Sequence, residues 1–280
     1  MRAGQRGAWR CYGRAGGIVS AAQFTRALLP AAFGLVVLAL WEAAVRLNDV
    51  PPYILPSPTA IAAALWTNGP ELLAALAVTL EVTVAALVLA AITGAGIAFL
   101  LAQSPIAERT LFPYAVFLQV TPIVTVAPFV IIWVDNVFAV LLILAWMAAV
   151  FPIISNTLLG LKSADPNLRD LFRLYGASRR QTLVHLLAPS ALPYFLGGLR
   201  ISGGLALIGT VVAEMVAGTS GASSGLASRL MEASYRLELA RALACFVLLS
   251  ASGFALYILI DALSRRVLRH WHESARPPEV

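Results

Sequence analysis

Charge is scarce in this sequence: only 12% of its residues are Asp, Glu, Lys or Arg, against about a quarter in a soluble domain. With 60% hydrophobic residues over 280 positions and a mean hydropathy of +0.83, that shortage excludes an ordinary water-soluble domain. Short strands of alternating polarity are also missing, which argues against a membrane β-barrel. Helices remain, because in hydrocarbon each segment must satisfy its own backbone groups. Cysteine is rare: Cys11 sits in a basic tail and Cys245 in an apolar run, so neither a disulfide framework nor a Cys/His metal cluster is expected. The chain has a single lysine, Lys162, preceded by Leu161 and followed by Ser163. A phosphate-cradling loop needs G-x-x-x-x-G-K-[ST], so this chain carries no ATPase of its own.

What is present is a series of apolar stretches long enough to cross a bilayer, about 20 residues each. Six spans are expected, at 27–45, 82–102, 113–134, 137–159, 199–217 and 242–263. A proline-rich loop (PPYILPSP) and a short helix starting at Ser57-Pro58 lie between the first two. Ala90, Gly94 and Gly96 give the second span a small-residue face suited to close helix contact. A brief loop with Glu108 and Arg109 precedes the third, whose interior QVTPIVTVAPF holds Pro122 and Pro128 among threonines. Prolines there free carbonyls that neighbours or a wet path must satisfy, so Thr121, Pro122, Thr125 and Pro128 are candidate path residues.

Fifteen of the twenty basic residues lie in the two tails and the two loops on the same side, which sets both termini in the cytoplasm. Topology therefore explains the net charge of +6, and no nucleic-acid partner is expected. Intramembrane ionisable groups count as site candidates, since they are costly. Glu214, near the outer end of the fifth span, is the strongest for lining a path, while Arg200, Glu42, Glu81 and Asp261 lie close enough to span ends to pair or snorkel.

The run Gly221-Ala222-Ser223-Ser224-Gly225 matches the G-x-S-x-G pattern of serine hydrolases. A nucleophilic serine needs a base within hydrogen-bond reach. The histidines His185, His270 and His272 all fall on the opposite side of the membrane from Ser223 in this topology. The run reads as a Gly/Ser loop leading into an interfacial helix with Leu226, Leu230, Ala233 and Leu237 on one face. No catalytic or metal-binding residue is assigned.

The polar segment 161–196 is the exception among the apolar stretches. Asp165-Pro166 caps a first helix, with Asp170 and Arg173 at i,i+3 and an apolar strip of Leu171, Leu174 and Tyr175. Gly176 then permits a turn, and a second helix starts near Ser178 with Arg179, Arg180 and His185 opposite Leu183, Leu186 and Leu187. The residues describe a basic knob between spans, a docking surface or a hairpin held by lipid head groups.

This segment resembles the cytoplasmic EAA signature of ABC-importer membrane subunits: E-A-A, three residues, G, nine residues, I-x-L-P. With Gly176 as its glycine, Leu186 and Pro189 take the I and P positions and Asp170 the glutamate position. Leu171 and Phe172 replace the two alanines, and Ala188 replaces the leucine. LPSPTAI, TPIVTVAPFVIIW, FPIISNTLLGL, GLRISGGLALIGTVVAEM and GASSGL are similar to the nitrate/sulfonate/taurine branch, so the likeness covers 51–263. The short WVDN turn departs from the longer, glycine-containing one of such relatives.

The resemblance implies an all-α, polytopic membrane protein with the six-helix permease fold of type I importers. It implies a basic tail at 1–26, an additional first span at 27–50, a permease core at 51–263 containing a coupling loop at 161–197, and a second basic tail at 264–280. In the family the coupling segment sits in a cleft of a separate ATPase, so Asp170, Leu171, Phe172, Tyr175, Gly176, Ala177, Leu186 and Pro189 are the expected ATPase contacts. No cofactor is expected on this chain, ATP being bound by the partner. The other implied partners are an extracytoplasmic substrate-binding protein, a second copy of the chain and the lipid bilayer of the bacterial inner membrane. The solute would be small and polar, of sulfonate, nitrate, taurine or pyrimidine-precursor type. The rival is a self-contained secondary transporter, which would show internal repeats and intramembrane ion-coupling residues; no repeat is visible.

Overall fold

Long apolar runs with capped ends fold as helices, and the computed structural model describes residues 19–218 and 224–269 as ten α-helices with one π-helical turn. The side chains of 19–28, 30 and 31 are outside that description, as are Cys11, Ser223, His270 and His272 and most of both tails. The chain forms two compact units, Met1–Ala60 and Ile61–Val280.

In the first unit α1 (Val19–Leu47) covers the expected first span and extends past both its ends. Glu42 fastens the following proline-rich stretch: its carboxylate accepts the Thr59 N–H at 3.1 Å and the Thr59 hydroxyl at 2.8 Å.

After α1 four expectations change. The short helix at Ser57 and the span at 82–102 are one helix, α2 (Pro58–Ala102). Pro70 lies inside it without ending it. At about 68 Å by helical rise, α2 exceeds the ~30 Å hydrocarbon core. Its buried residues recur at helical spacing from Leu72 through Ala75, Thr79, Ala86 and Ala90 to Gly94, Ala98 and Leu101. Gly96 is exposed and lies off the small-residue face, which is instead Ala90, Gly94 and Ala98.

The loop expected at Glu108 and Arg109 is the first turn of α3 (Pro105–Val120), capped by the Ser104 hydroxyl with Pro105 next in line. The third span is broken: α3 and α4 (Ile123–Trp133) meet at 98°. Thr121, which precedes Pro122, is extended rather than helical, as the proline ring demands. Asn136 caps α5 (Val137–Lys162) by accepting the Ala139 N–H at 3.0 Å.

The core gathers α2, α5, α8 (Ala188–Ala217) and α10 (Leu239–Leu268) around Ala90, Leu101, Ile153, Leu161, Ala206 and Ile260. α5 and α8 touch through Gly160, Gly198 and Gly209, where an added Cβ would meet the facing helix at 2.7 to 2.9 Å. Buried hydroxyls cross-link the helices: Ser202 donates to the Ala149 carbonyl at 2.6 Å, Thr83 and Thr210 bond at 3.1 Å, and Trp146 Nε1 donates to Thr93 at 2.8 Å.

Among the described residues, α2, α5, the run Arg179–Ala217 and α10 are long and apolar enough to cross a membrane. The bent pair α3–α4 adds a fifth if it is one span.

Candidate functional site

The two ends of α8 carry the two arrangements of interest. At its start, Asp165 caps α6 (Pro166–Leu174), accepting the Asn167 N–H at 2.8 Å, with Pro166 at the first position. α6 ends on Gly176 at φ +68°, a left-handed conformation that suits glycine. The Ala177 N–H reaches back to the Phe172 carbonyl at 2.9 Å and the Gly176 N–H to Arg173 at 3.0 Å, closing a Schellman turn. Ser178 and Gln181 then form a capping box that starts α7 (Arg179–Thr182).

The second helix of the expected hairpin is not a separate piece. α7 runs through a π-helical turn at Leu183–Leu187 directly into α8. Pro189 explains the turn: it cannot donate an N–H, and its ring would crowd the carbonyl of His185 in α-geometry. The Ala188 N–H bonds instead to Leu183, five residues back. Leu186 is buried against the core and Pro189 is half-buried, so these two anchor the knob.

α6 itself faces outward. Leu174 and Tyr175 are 85% and 83% exposed and Leu171 is 45% exposed, while Phe172 and Ala177 are half-buried. Asp170 pairs with Arg173 at 3.6 Å on the surface. Arg169, on the opposite side of α6 from Leu171, donates to the Leu161 carbonyl at 2.7 Å and ties the helix to the end of α5.

At the other end of α8, α9 (Leu226–Tyr235) starts at Gly225, which has no side chain to cap it. Its first donors are satisfied from other helices. The Leu226 N–H bonds to the Thr79 hydroxyl of α2 at 2.8 Å, and the Ala227 N–H to the Glu214 carboxylate of α8 at 2.9 Å. A carboxylate at a helix N-terminus also meets the positive end of its dipole. A Cβ on Gly225 would fall 2.0 Å from Glu214 Oε1, so only glycine lets the two chains meet. Glu214 is 0% exposed. Of the interfacial face expected on α9, Leu226 and Ala233 are buried, and Leu237 lies past the helix end, exposed at φ +60°.

Thr121, Pro122, Thr125 and Pro128 cluster at the α3–α4 bend. Pro122, Thr125 and Pro128 are exposed and Thr121 is half-buried. The two hydroxyls are held internally, Thr121 donating to Phe117 and Thr125 to Pro122, each at 2.7 Å. The large apolar side chains Phe117, Val120, Val124, Ile132 and Trp133 around them are exposed.

Most other charges form ion pairs. Asp261 bridges Arg200 and Arg265, Lys162 meets Glu108, and Glu71 joins Arg229 at 3.3 Å and Arg241 at 2.9 Å. Thr79, Thr83, Thr210 and Gly225 are the positions that sequence reasoning missed. The one hint was a helix starting at Gly225 with no acceptor of its own.

Known proteins resemble this chain over most of its length. A family model described as "Binding-protein-dependent transport system inner membrane component" matches residues 86–269. The formylaminopyrimidine transport permease protein ThiX of Halalkalibacterium halodurans is 33% identical over 209 residues, 72% of this chain and 79% of the relative. The putative aliphatic sulfonates transport permease protein SsuC of Bacillus subtilis is 30% identical over 252 residues, covering 88% and 87%. A solved structure of an amino acid ABC transporter superposes with a TM-score of 0.59 at 15% identity, covering 74% of this chain and 97% of that one.

Proposed function

The chain belongs to the binding-protein-dependent transport system inner membrane components, and from that premise we propose that it is the permease of an ATP-driven importer whose α6 knob docks on a separate ATPase. It is a multi-pass ABC transporter permease, a transport component rather than an enzyme. The observation that carries the docking reading is the exposed strip Leu171, Leu174 and Tyr175, set above the rigid turn at Gly176. An exposed apolar strip on an otherwise polar helix marks a surface that a partner covers.

The lever follows from the continuity of α7, the π-helical turn and α8. A push on α6 and Gly176 is passed along one helical column, anchored by Leu186, to the far end where α9 hangs on Glu214. Closure of an ATPase pair would thereby bias the permease between inward-open and outward-open states. Two copies of the chain, each with the α1 span as a sixth, would enclose the path, with both termini cytoplasmic. The bend residues Thr121, Pro122, Thr125 and Pro128 would line that path. Glu214 joins it only in a state in which α9 has lifted away; here it anchors α9.

An extracytoplasmic binding protein would deliver the solute. Pyrimidine-type and sulfonate solutes, named for the two relatives above, are the classes proposed, with nitrate and taurine alongside. Proteoliposomes holding the permease, its ATPase and its binding protein test the reading. Uptake should require internal ATP and persist when ion gradients are dissipated; uptake driven by a gradient without ATP would reject it.

A further inference from the structure

The face of α6 turned away from the apolar strip borders a cleft of about 570 Å³. Four arginines line it, Arg169 and Arg173 from α6 and Arg179 and Arg180 from α7, and no acidic residue does. Arg173 has a surface partner in Asp170, but Arg169, Arg179 and Arg180 have no carboxylate partner among the described residues. Arg169 Nε is buried and makes no hydrogen bond, although its guanidinium is fixed by the Leu161 carbonyl. The opposite wall is largely apolar, formed by Phe99 and Ala102 at the end of α2 and by Leu183 and Leu187 of the π-helical turn, with Gln103 and Thr182 its polar members. Cationic rim and apolar wall thus meet at the end of α2 and in the run Arg179–Ala217, both long and apolar enough to cross a membrane.

Guanidinium groups match phosphate oxygens in a two-pronged geometry, and several together recognise a phosphodiester better than scattered lysines do. A free phosphate would use the arginines but leave the apolar wall in water. A lipid uses both, its phosphate at the rim and its acyl chains along Phe99 and Leu187. We infer that this cleft binds the phosphate of an anionic phospholipid, so that the knob is tethered to the membrane on one face while the other stays free for a protein partner. The inference rests on the membrane location of the chain and does not need the ATPase. Loss of docking would leave it standing, and its failure would leave docking standing.

The test uses the purified full chain in neutral detergent, titrated with phosphatidylglycerol, phosphatidylcholine or inorganic phosphate while thermal unfolding is followed. Phosphatidylglycerol should raise the midpoint, as a ligand of the folded state must, and phosphatidylcholine should not. The double variant Arg179→Gln/Arg180→Gln, at two exposed positions, should keep the lipid-free midpoint and need at least about tenfold more phosphatidylglycerol, since each lost bidentate contact weakens binding. Should that variant unfold early, phospholipid co-purifying with it, counted by native mass spectrometry, gives the second readout and should fall. Equal shifts with phosphatidylcholine, an equal shift with millimolar inorganic phosphate, or an unchanged double variant would each overturn the assignment.

Discussion

α6 and α9 are both short amphipathic helices placed at the two ends of α8, and their apolar faces end up differently. α9 buries Leu226, Ala227 and Ala233 in its own chain, and α2 and α8 supply the acceptors for its first N–H groups. α6 buries none of its residues completely and leaves Leu174 and Tyr175 in the open. A helix finished by its own chain is a structural part. A helix with well-formed caps at both ends and an uncovered apolar face is built for something else to complete it.

The contrast can be broken from either side. The largest effect on folding should come from Glu214→Ala, which leaves the Ala227 N–H without its buried acceptor and empties a filled site. We expect a loss of about 3 kcal/mol, read as a lower unfolding midpoint in detergent, with ATPase binding preserved in the molecules that fold. Gly176→Leu forces a side chain into a left-handed conformation, costing about 1–2 kcal/mol. Its larger consequence is a re-aimed α6: membrane insertion should persist while ATPase association drops beyond detection in a pull-down. Leu174→Asp leaves the fold alone, since that side chain touches little, and should weaken ATPase binding by about tenfold, the equivalent of about 1.4 kcal/mol. Asp170→Ala removes only an exposed ion pair, worth at most about 1 kcal/mol, and transport should stay within about twofold of the unmodified chain. Wild-type ATPase binding by Leu174→Asp would erase the distinction between α6 and α9.

Local chemistry explains which parts of this arrangement the sequence discloses. Asp165-Pro166, Gly176, Ser178 and Asn136 act on their own neighbourhood, so both ends of α6 and the starts of α7 and α5 could be read directly and the structure agrees. The ion pair of Asp261 with Arg200 follows from the need of charges near span ends to find each other. Prolines were harder. Pro70, Pro122 and Pro128 all fall in helix-forming sequence, yet only Pro122 breaks its helix, at the 98° bend between α3 and α4. Ser104-Pro105 was a stronger start signal than Pro113, which sits inside α3. The bond from Glu214 to α9 was out of reach, because it links residues on separate helices and depends on how closely Gly225 approaches. Burial there comes from the tertiary fold, and no periodicity along the chain encodes it.

Hydrogen exchange of the permease, measured with and without its ATPase subunit, tests the central claim most directly. The account predicts that amides of Pro166–Leu174 and the following turn through Ala177 become protected when the ATPase binds, while those of Leu226–Tyr235 keep their rates. Unchanged exchange in Pro166–Leu174 on formation of a verified complex would contradict it.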